Sequence, residues 1–410
     1  MIHPSKDIIG SKSTRLGDKI ILLGITSSAA IYKSIDLARE LMRHGAEVYP
    51  IMTPNAAKLI SPDLFYWATG NKPLVELSGE IEHIQLTHQN SKKILLLIAP
   101  ATANTIAKVA NGISDNALTA TILSALGRRI PTIVVPAMHL SLWDAPQMRE
   151  NIRKLEKMGI RIIEPLIKEG KAKYPPLEEI IENIFREVTS PVLRNKKILV
   201  TAGSTRVYID DIRFISNPSS GKMGIAMAIE AWLRGGNVDL LMAKHSKHRY
   251  YIPIDINILT FETFNDAQDL LIEKIETADI FIHAAAISDF RPSKKITGKM
   301  SSKKGFSVNL EPTPKLLEKA RSVNKRAFFI AFKAEWNVSD KELIEKSKEY
   351  IETGIANAVV ANDVSKGVFG SDMTEIVLLY EETGGLRHVK IQGEKRYVAS
   401  KILDILFGHE

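Results

Sequence analysis

One pattern constrains this chain more than any other. A short, wholly apolar strand ends in a small-residue turn and runs into a helix, first within residues 19–45 and again from residue 197. The first copy reads Lys19-Ile20-Ile21-Leu22-Leu23-Gly24-Ile25, then Thr26-Ser27-Ser28-Ala29-Ala30. Ile35, Ala38, Leu41 and Met42 follow at helical spacing, and Gly45 is the stop. The second copy opens on Lys197-Ile198-Leu199-Val200-Thr201-Ala202-Gly203. A strand without polar alternation is buried on both faces, and strands alternating with amphipathic helices build a parallel sheet covered on both sides. Residues 48–52, 93–98 and 132–135 extend the pattern in the first half; 238–242, 280–284, 328–331 and 358–361 extend it in the second. Gly170, Pro175, Pro176 and Pro191 interrupt it around a short predicted helix at 177–188. The expected fold class is α/β, with two doubly wound, mostly parallel-sheet, Rossmann-like domains. Their predicted bounds are 19–190 and 191–410, after a polar, irregular arm at 1–18 that is expected to be mobile.

Composition removes several functions. The 410 residues include no cysteine, so disulfides, thiolate metal sites and cysteine nucleophiles are excluded. The net charge is +8, but the basic residues are scattered and not interleaved with aromatics, so nucleic acid is not an expected partner. No apolar run nears the ~20 residues of a membrane span. Met1-Ile2-His3-Pro4-Ser5-Lys6 starts no signal-peptide pattern, so the expectation is a cytoplasmic protein with no membrane partner. Scattered lysines suit phosphorylated small molecules.

In an open parallel sheet the ligand sits at the carboxyl ends of the strands. The turn at 24–30 suits a phosphate at a helix N-terminus or an ordinary Ser/Thr N-cap. It lacks the GxGxxG of a dinucleotide site. In the second half, Asn217-Pro218-Ser219-Ser220-Gly221-Lys222-Met223-Gly224 is another small-residue turn before a helix. It is not a Walker A loop, because Ser216 stands where that motif needs Gly and Met223 where it needs Ser or Thr.

GITSSAAIYK, IMTPNA, APATANT, GISDN and PAMH follow one another between Gly24 and His139. Together they resemble the phosphopantothenoylcysteine decarboxylases, within the wider group of flavin-binding cysteine decarboxylases. The resemblance implies a flavodoxin-like domain with FMN held between subunits of a trimer. It implies Ser27, Thr53, Thr102 and Asn104 as FMN contacts. His83, in Ile81-Glu82-His83-Ile84-Gln85-Leu86, takes the place of the catalytic histidine, which handles a proton and holds the substrate carboxylate. In the implied reaction the thiol end of the substrate is oxidised to a thioaldehyde, which accepts the electron pair left by CO2. The enethiol is then protonated and reduced, so no nicotinamide is consumed. Two departures matter. The usual PAMN reads PAMH, which puts His139 at the substrate-carboxylate position. The usual clamp cysteine is missing from the shorter segment Glu169-Gly170-Lys171-Ala172-Lys173-Tyr174-Pro175, which leaves Lys173 or Tyr174 as the substitute proton donor.

The second half resembles the phosphopantothenate–cysteine ligases. The matching segments are Thr201-Ala202-Gly203-Ser204-Thr205-Arg206, the stretch from Asp210 to Gly224, HAAAISDFRP from His283, Gly298-Lys299-Met300, AFKAE from Ala331 and VANDV from Val360. The resemblance implies that a carboxylate of 4′-phosphopantothenate attacks the α-phosphorus of CTP and releases pyrophosphate. The amine of cysteine then takes the acyl group from the acyl-cytidylate. By the same resemblance Asn217 binds the acyl region, Arg213 supports the second step and Lys299 meets the triphosphate. Asp289 binds nucleotide or Mg2+. Ala285 and Phe332 line the cytosine pocket, and Thr313, Pro314, Lys315 and Leu316 add nucleotide contacts. The loop of Gly298, Lys299, Ser301, Ser302 and Lys303 reads as a lid that orders on nucleotide.

The leading expectation is a bifunctional enzyme of coenzyme A biosynthesis, a ligase whose product the fused decarboxylase converts to 4′-phosphopantetheine. The alternative keeps the ligase and makes the flavin domain a non-catalytic assembly module. Trimeric flavin domains joined to dimeric ligase domains imply a homo-oligomer that closes as a dodecamer.

Overall fold

The first unit is built on β1 (Ile20–Ile25), β2 (Glu47–Met52), β3 (Ile94–Ala101) and β4 (Thr132–Pro136), with β5 (Met138–His139) leaving the sheet and β6 (Arg161–Ile162) closing it. The strand order is β2-β1-β3-β4-β6, every neighbour parallel. All eight residues of β3 are buried, as a central parallel strand requires. The chain order reverses between β1 and β3, the position where such sheets bind ligands. The computed structural model describes residues 3–88, 93–294, 296–299, 305–366 and 370–408, and the chain divides into two units after Val188.

A small antiparallel hairpin, β7 (Leu166–Lys168) and β8 (Lys171–Lys173), also pairs with β5. Its two-residue loop, Glu169-Gly170, has φ of 54° and 66°. Positive φ at both positions matches the strand twist. Gly170 takes this conformation freely, whereas Glu169 does so at a cost of about 1 kcal/mol.

The arm expected to be mobile is instead docked. Pro4–Ile8 forms a 3-10 turn and Leu16 is fully buried. The N–H groups of Gly10, Lys12 and Leu16 donate to the carbonyls of Met42, Arg43 and His44. Carbonyls at a helix C-terminus have no partner within the helix, so the end of Lys33–Arg43 holds a segment that looks unstructured by composition.

The second unit contains β9 (Lys197–Ala202), β10 (Arg206–Tyr208), β11 (Phe214–Ser216), β12 (Asn237–Ala243), β13 (Asn257–Phe261), β14 (Ile280–His283), β15 (Phe290–Pro292) and β16 (Leu310–Pro312). They are followed by β17 (Phe328–Glu335), β18 (Ala358–Asp363), β19 (Met373–Glu382) and β20 (Gly385–Glu394). Its main sheet runs β13-β12-β9-β14-β17-β18-β19-β20, parallel as far as β18 and antiparallel beyond. The antiparallel edge and the last helix, Lys395–Phe407, lie outside the alternating pattern read from the sequence. β10–β11 and β15–β16 are two separate hairpins. Again the order reverses at the first strand, between β9 and β14.

Helix Lys222–Leu233 has ten of its twelve residues buried. A Cβ on Gly224 would lie 2.6 Å from the carbonyl oxygen of Thr201, so only glycine lets this helix start against β9. Glu230, buried in that helix, bonds to Arg234 at 3.0 Å and Arg396 at 2.9 Å, and Arg234 reaches Asp404 at 2.6 Å. The cluster fastens the helix to the C-terminal one. Breaking a buried ion pair by removing one partner costs about 3 kcal/mol or more. Glu230→Ala is therefore expected to lower the denaturant midpoint of the second unit clearly. The apolar double variant Glu230→Leu/Arg234→Met is expected to recover part of that loss.

Candidate active sites

In the first unit the loops after β1, β2, β3 and β4 meet at one edge. Thr26, fully buried, donates from Oγ1 to the carbonyl of Pro100 at 2.8 Å and accepts from the N–H of Thr102 at 3.0 Å. Ser28 Oγ donates to the carbonyl of Ala137 at 3.2 Å, and the N–H of Thr53 donates to Ile25 at 3.0 Å. These bonds draw Ser27, Thr53, Thr102 and the start of the PAMH segment to the same end of the sheet. Thr53 and Thr102 occupy N-cap positions of the following helices. Thr53 Oγ1 accepts from Ala56, whereas Thr102 Oγ1 makes no cap bond and lies 3.3 Å from Thr105 Oγ1. Asn104 is exposed on the first turn after Thr102.

His83 stands on a separate short helix, Glu82–His88, which is tied to helix Ala117–Gly127 by Thr87 Oγ1 and Ser124 Oγ at 2.7 Å. Its Nδ1 is buried and has no hydrogen-bond partner. His139 ends β5, exposed, directly opposite Lys171. Lys173 Nζ bonds to Glu169 at 2.6 Å. Tyr174 is buried with an unpartnered hydroxyl, and burial pushes its pKa up, so it stays protonated.

The second unit holds a cavity of about 530 Å³. Asn217, Ala285, Asp289, Thr313, Pro314, Lys315, Leu316 and Phe332 all line it. Thr313 Oγ1 donates to the carbonyl of Ser288 at 2.5 Å and its N–H to that of Asp289 at 2.9 Å, which joins two of the lining loops. Asp289 pairs with Lys315 at 2.5 Å, and that bond raises the lysine's pKa. Thr201 Oγ1 accepts from the N–H of Ala285 at 3.2 Å and lies 3.0 Å from His283 Nδ1. Burial pushes the pKa of His283 down to about 4, so the imidazole beside Thr201 is neutral.

Arg213 and Lys299 are not among the cavity-lining residues. Arg213 bonds to the buried Asp210 at 3.2 Å, and the N–H of Gly298 donates to Asp211 Oδ2 at 2.7 Å. Both residues thus sit beside the loop between β10 and β11. Met300, Ser301, Ser302 and Lys303, the rest of the expected lid, lie outside the described residues.

Lys222 and Lys395 are among the lining residues that the sequence reading did not assign to the site. Lys222 donates to the carbonyl of Gly370 at 2.7 Å and pairs with Asp372 at 2.9 Å. Lys395, buried, donates to the carbonyl of Ser371 at 2.7 Å, and burial together with the charge of Lys222 pushes its pKa down to about 8. Lys222 could have been found in the SSGKMG turn; nothing local marks Lys395. Among the described residues no group of three or more His, Asp or Glu side chains gathers to hold a metal ion. No helix among them is long and apolar enough to cross a membrane.

Residues 9–189 match the Flavoprotein family, and residues 193–408 match the DNA/pantothenate metabolism flavoprotein C-terminal domain. The chain is 42% identical over 380 residues to the coenzyme A biosynthesis bifunctional protein CoaBC of Thermococcus kodakarensis, covering 92% of this chain and 93% of that one. The chain belongs to this family. With the CoaBC protein of Methanocaldococcus jannaschii it shares 38% identity over 408 residues, covering 98% and 97%. The solved C-terminal domain of a CoaBC protein is 27% identical with a TM-score of 0.43, covering 53% of this chain and 97% of that one. The FMN-dependent cysteine decarboxylase SpaF is 29% identical with a TM-score of 0.37, covering 40% and 94%. As a CoaBC family member the chain is a bifunctional decarboxylase and ligase of coenzyme A biosynthesis, and its first unit is a flavoprotein unit.

His283 gives this site a pH signature. Its folded pKa lies below the unfolded value of 6.5, so between pH 6.5 and about 4 the unfolded chain binds the extra proton. Stability is expected to fall as pH drops through that window, by about 2 kcal/mol at pH 5. His283→Gln should flatten the fall, as read from denaturant midpoints at pH 7 and pH 5.

Proposed function

We propose that the two activities are divided between the units. The second joins 4′-phosphopantothenate to cysteine at the expense of CTP, and the first decarboxylates the product with FMN to give 4′-phosphopantetheine. The observation that carries this reading is the cavity of the second unit. It gathers Asn217, Ala285, Asp289, the 313–316 turn and Phe332 from loops far apart in sequence, with two lysines added.

Ala285 and Phe332 offer a small face and a ring to the cytosine. Asn217, whose Nδ2 makes only a 3.4 Å contact with the carbonyl of Ala286, is placed to turn to the acyl oxygen. Lys222, Lys315 and Lys395 bring positive charge to the phosphates and the departing pyrophosphate. Mg2+ takes most of its ligands from phosphate and water, so the single carboxylate of Asp289 suffices on the protein side. In this reading Lys299 and Arg213 act from the β10–β11 side, on the triphosphate and on the second step.

The first unit fits FMN. Its switch-point loops present the hydroxyls of Ser27 and Thr102 and the amide of Asn104, and the buried Nδ1 of His83 lacks a protein partner. An orphaned buried polar atom costs about 1–3 kcal/mol, which a bound ligand offsets. FMN would supply the electron acceptance and return that decarboxylation next to a thiol-bearing carbon needs. The protein supplies His83 to hold the carboxylate and move a proton, His139 as a substrate contact, and Lys173 as proton donor once its pair with Glu169 opens. Tyr32, Leu59 and Trp67 in this unit, and Phe214, Ile215 and Phe290 in the other, are exposed apolar side chains that support a homo-oligomer, with a dodecamer as the closed form. A cytoplasmic location goes with these substrates.

Incubation with 4′-phosphopantothenate, cysteine, CTP and Mg2+, followed by mass spectrometry, tests the assignment. The expected products are pyrophosphate, CMP and 4′-phosphopantetheine. Accumulated phosphopantothenoylcysteine would overturn the decarboxylase half and make the first unit an assembly module, a reading that the absence of cysteine keeps in view.

Lys395 sets a second expectation. Its charge is present below about pH 8 and lost above it. Pyrophosphate binding, measured by calorimetry, should weaken about tenfold on going from pH 7 to pH 9. Lys395→Met should weaken it at pH 7 and remove most of the slope.

A further inference from the structure

The cavity of the second unit lies over the carboxyl ends of β14, β17 and β18, and the two faces of the sheet supply it with different chemistry. On one face, Lys222 and Lys395 begin the helices Lys222–Leu233 and Lys395–Phe407, which meet through Glu230 and Arg396 at 2.9 Å. On the other, Leu199, Phe281, Phe329 and Val359 of the strands pack with Leu271, Leu316 and Leu343 of the helices in one buried cluster. Gly224 lies against Ala202, three residues beyond Leu199 and so on the opposite side of β9. Among the described residues the cluster takes none from the two lysine-bearing helices. Lys333 follows Phe329 and Ala331 at strand alternation on β17, which puts it on the cluster's side, at the cavity. Its side chain is only 17% exposed, and its Nζ lies 4.5 Å from the centroid of the Tyr350 ring. The carboxylate of Glu335 stands 3.7 Å away and has its closer bond with Lys346, at 2.8 Å. Ala285, Tyr350 and Ile355, which pack against the same cluster, line the cavity beside this lysine.

A mostly buried ammonium held over a ring, among apolar walls, is a poor receiver for a triphosphate, which needs several donors. It suits the edge of a heterocycle, which needs one well-placed polar group in an apolar slot. We propose that Lys333 is the residue that reads the base, its Nζ donating to O2 and N3, the two acceptors on the pairing edge of cytosine. The proposal rests on the reading of this cavity as a CTP site. Uracil keeps the O2 acceptor but carries an N–H at N3, which an ammonium with three donors and no acceptor cannot pair. The contact that binds cytosine thus turns uracil away. A site built around a hydrogen bond rejects an analogue that leaves it unmade more strongly than an apolar pocket rejects one by shape. Tyr350 holds the ammonium in position before the nucleotide arrives. Lys222 and Lys395, across the sheet, are left to the phosphates. Lys333 is therefore a specificity-determining residue of the ligase step.

The test titrates the full chain with CMP, UMP and pyrophosphate in a calorimeter. The wild type is expected to bind CMP about tenfold more tightly than UMP, or better. Lys333→Met keeps the apolar stem against Tyr350 but loses the donors. It should weaken CMP binding about tenfold, leave UMP binding within about twofold and leave pyrophosphate binding unchanged. Lys333→Arg, which keeps donors at the site, should retain most of the preference for CMP. Lys319→Gln, an exposed control on the same unit, should change none of the three affinities. The ratio of kcat/KM for CTP over UTP, read from pyrophosphate release, should fall about tenfold in Lys333→Met. Equal losses for CMP and UMP, or a loss of pyrophosphate binding, would take Lys333 off the base edge and overturn the proposal. A wild type that selects CTP and a Lys333→Met variant that selects it equally well would overturn the role of the lysine alone. A wild type that takes ATP in preference to CTP, or binds none of these nucleotides, would overturn the CTP reading with it.

Discussion

In each unit a buried threonine hydroxyl ties together the two strands between which the chain order reverses. Thr26 joins the end of β1 to the carbonyl of Pro100 and the N–H of Thr102 after β3. Thr201, within β9, takes the N–H of Ala285 and faces His283 on β14. Past the last ladder bond, diverging strands leave buried backbone groups without partners. A hydroxyl both donates and accepts, so it closes the gap that opens there. The ligand-facing loops are hung from these joins. The Ser27 and Thr102 turns of the first unit and the His283–Asp289 loop of the second are positioned by them.

The second unit uses buried charge in two ways. Around Glu230 the pairs are closed: two arginines and a second carboxylate satisfy one another between two helices. At the cavity the balance is left positive. Lys222, Lys395 and Arg249 converge on the 370–372 turn, where Asp372 is the only acid. Burial and the charge of Lys222 lower the pKa of Lys395, against the opposing pull of Asp372.

The first unit stores its unmet demands differently. The Nδ1 of His83 and the hydroxyl of Tyr174 are both buried without partners. Folding alone rewards neither arrangement, and both lie in the unit whose chemistry needs a flavin and an anionic substrate.

Much of this was legible in the sequence. The unbroken apolar run of β3 and the largely apolar run of β9 are what two-sided burial demands, so the class, the parallel sheets and the two-unit organisation could be read from spacing alone. The ordered motif set identified both halves, and eight candidate residues of the second half do line one cavity. The rest depended on contacts between distant segments. The N-terminal arm looked mobile because its partners are carbonyls at the end of a helix, which carry no side-chain signature. Lys395 joins the cavity only because an antiparallel edge returns the chain to the Gly221 turn. His139 and the lysine hairpin look like separate departures until strand register sets His139 opposite Lys171. Local pattern records which faces must be buried. Only the folded chain decides which polar groups are brought opposite one another, because that depends on register and crossover and not on any one segment.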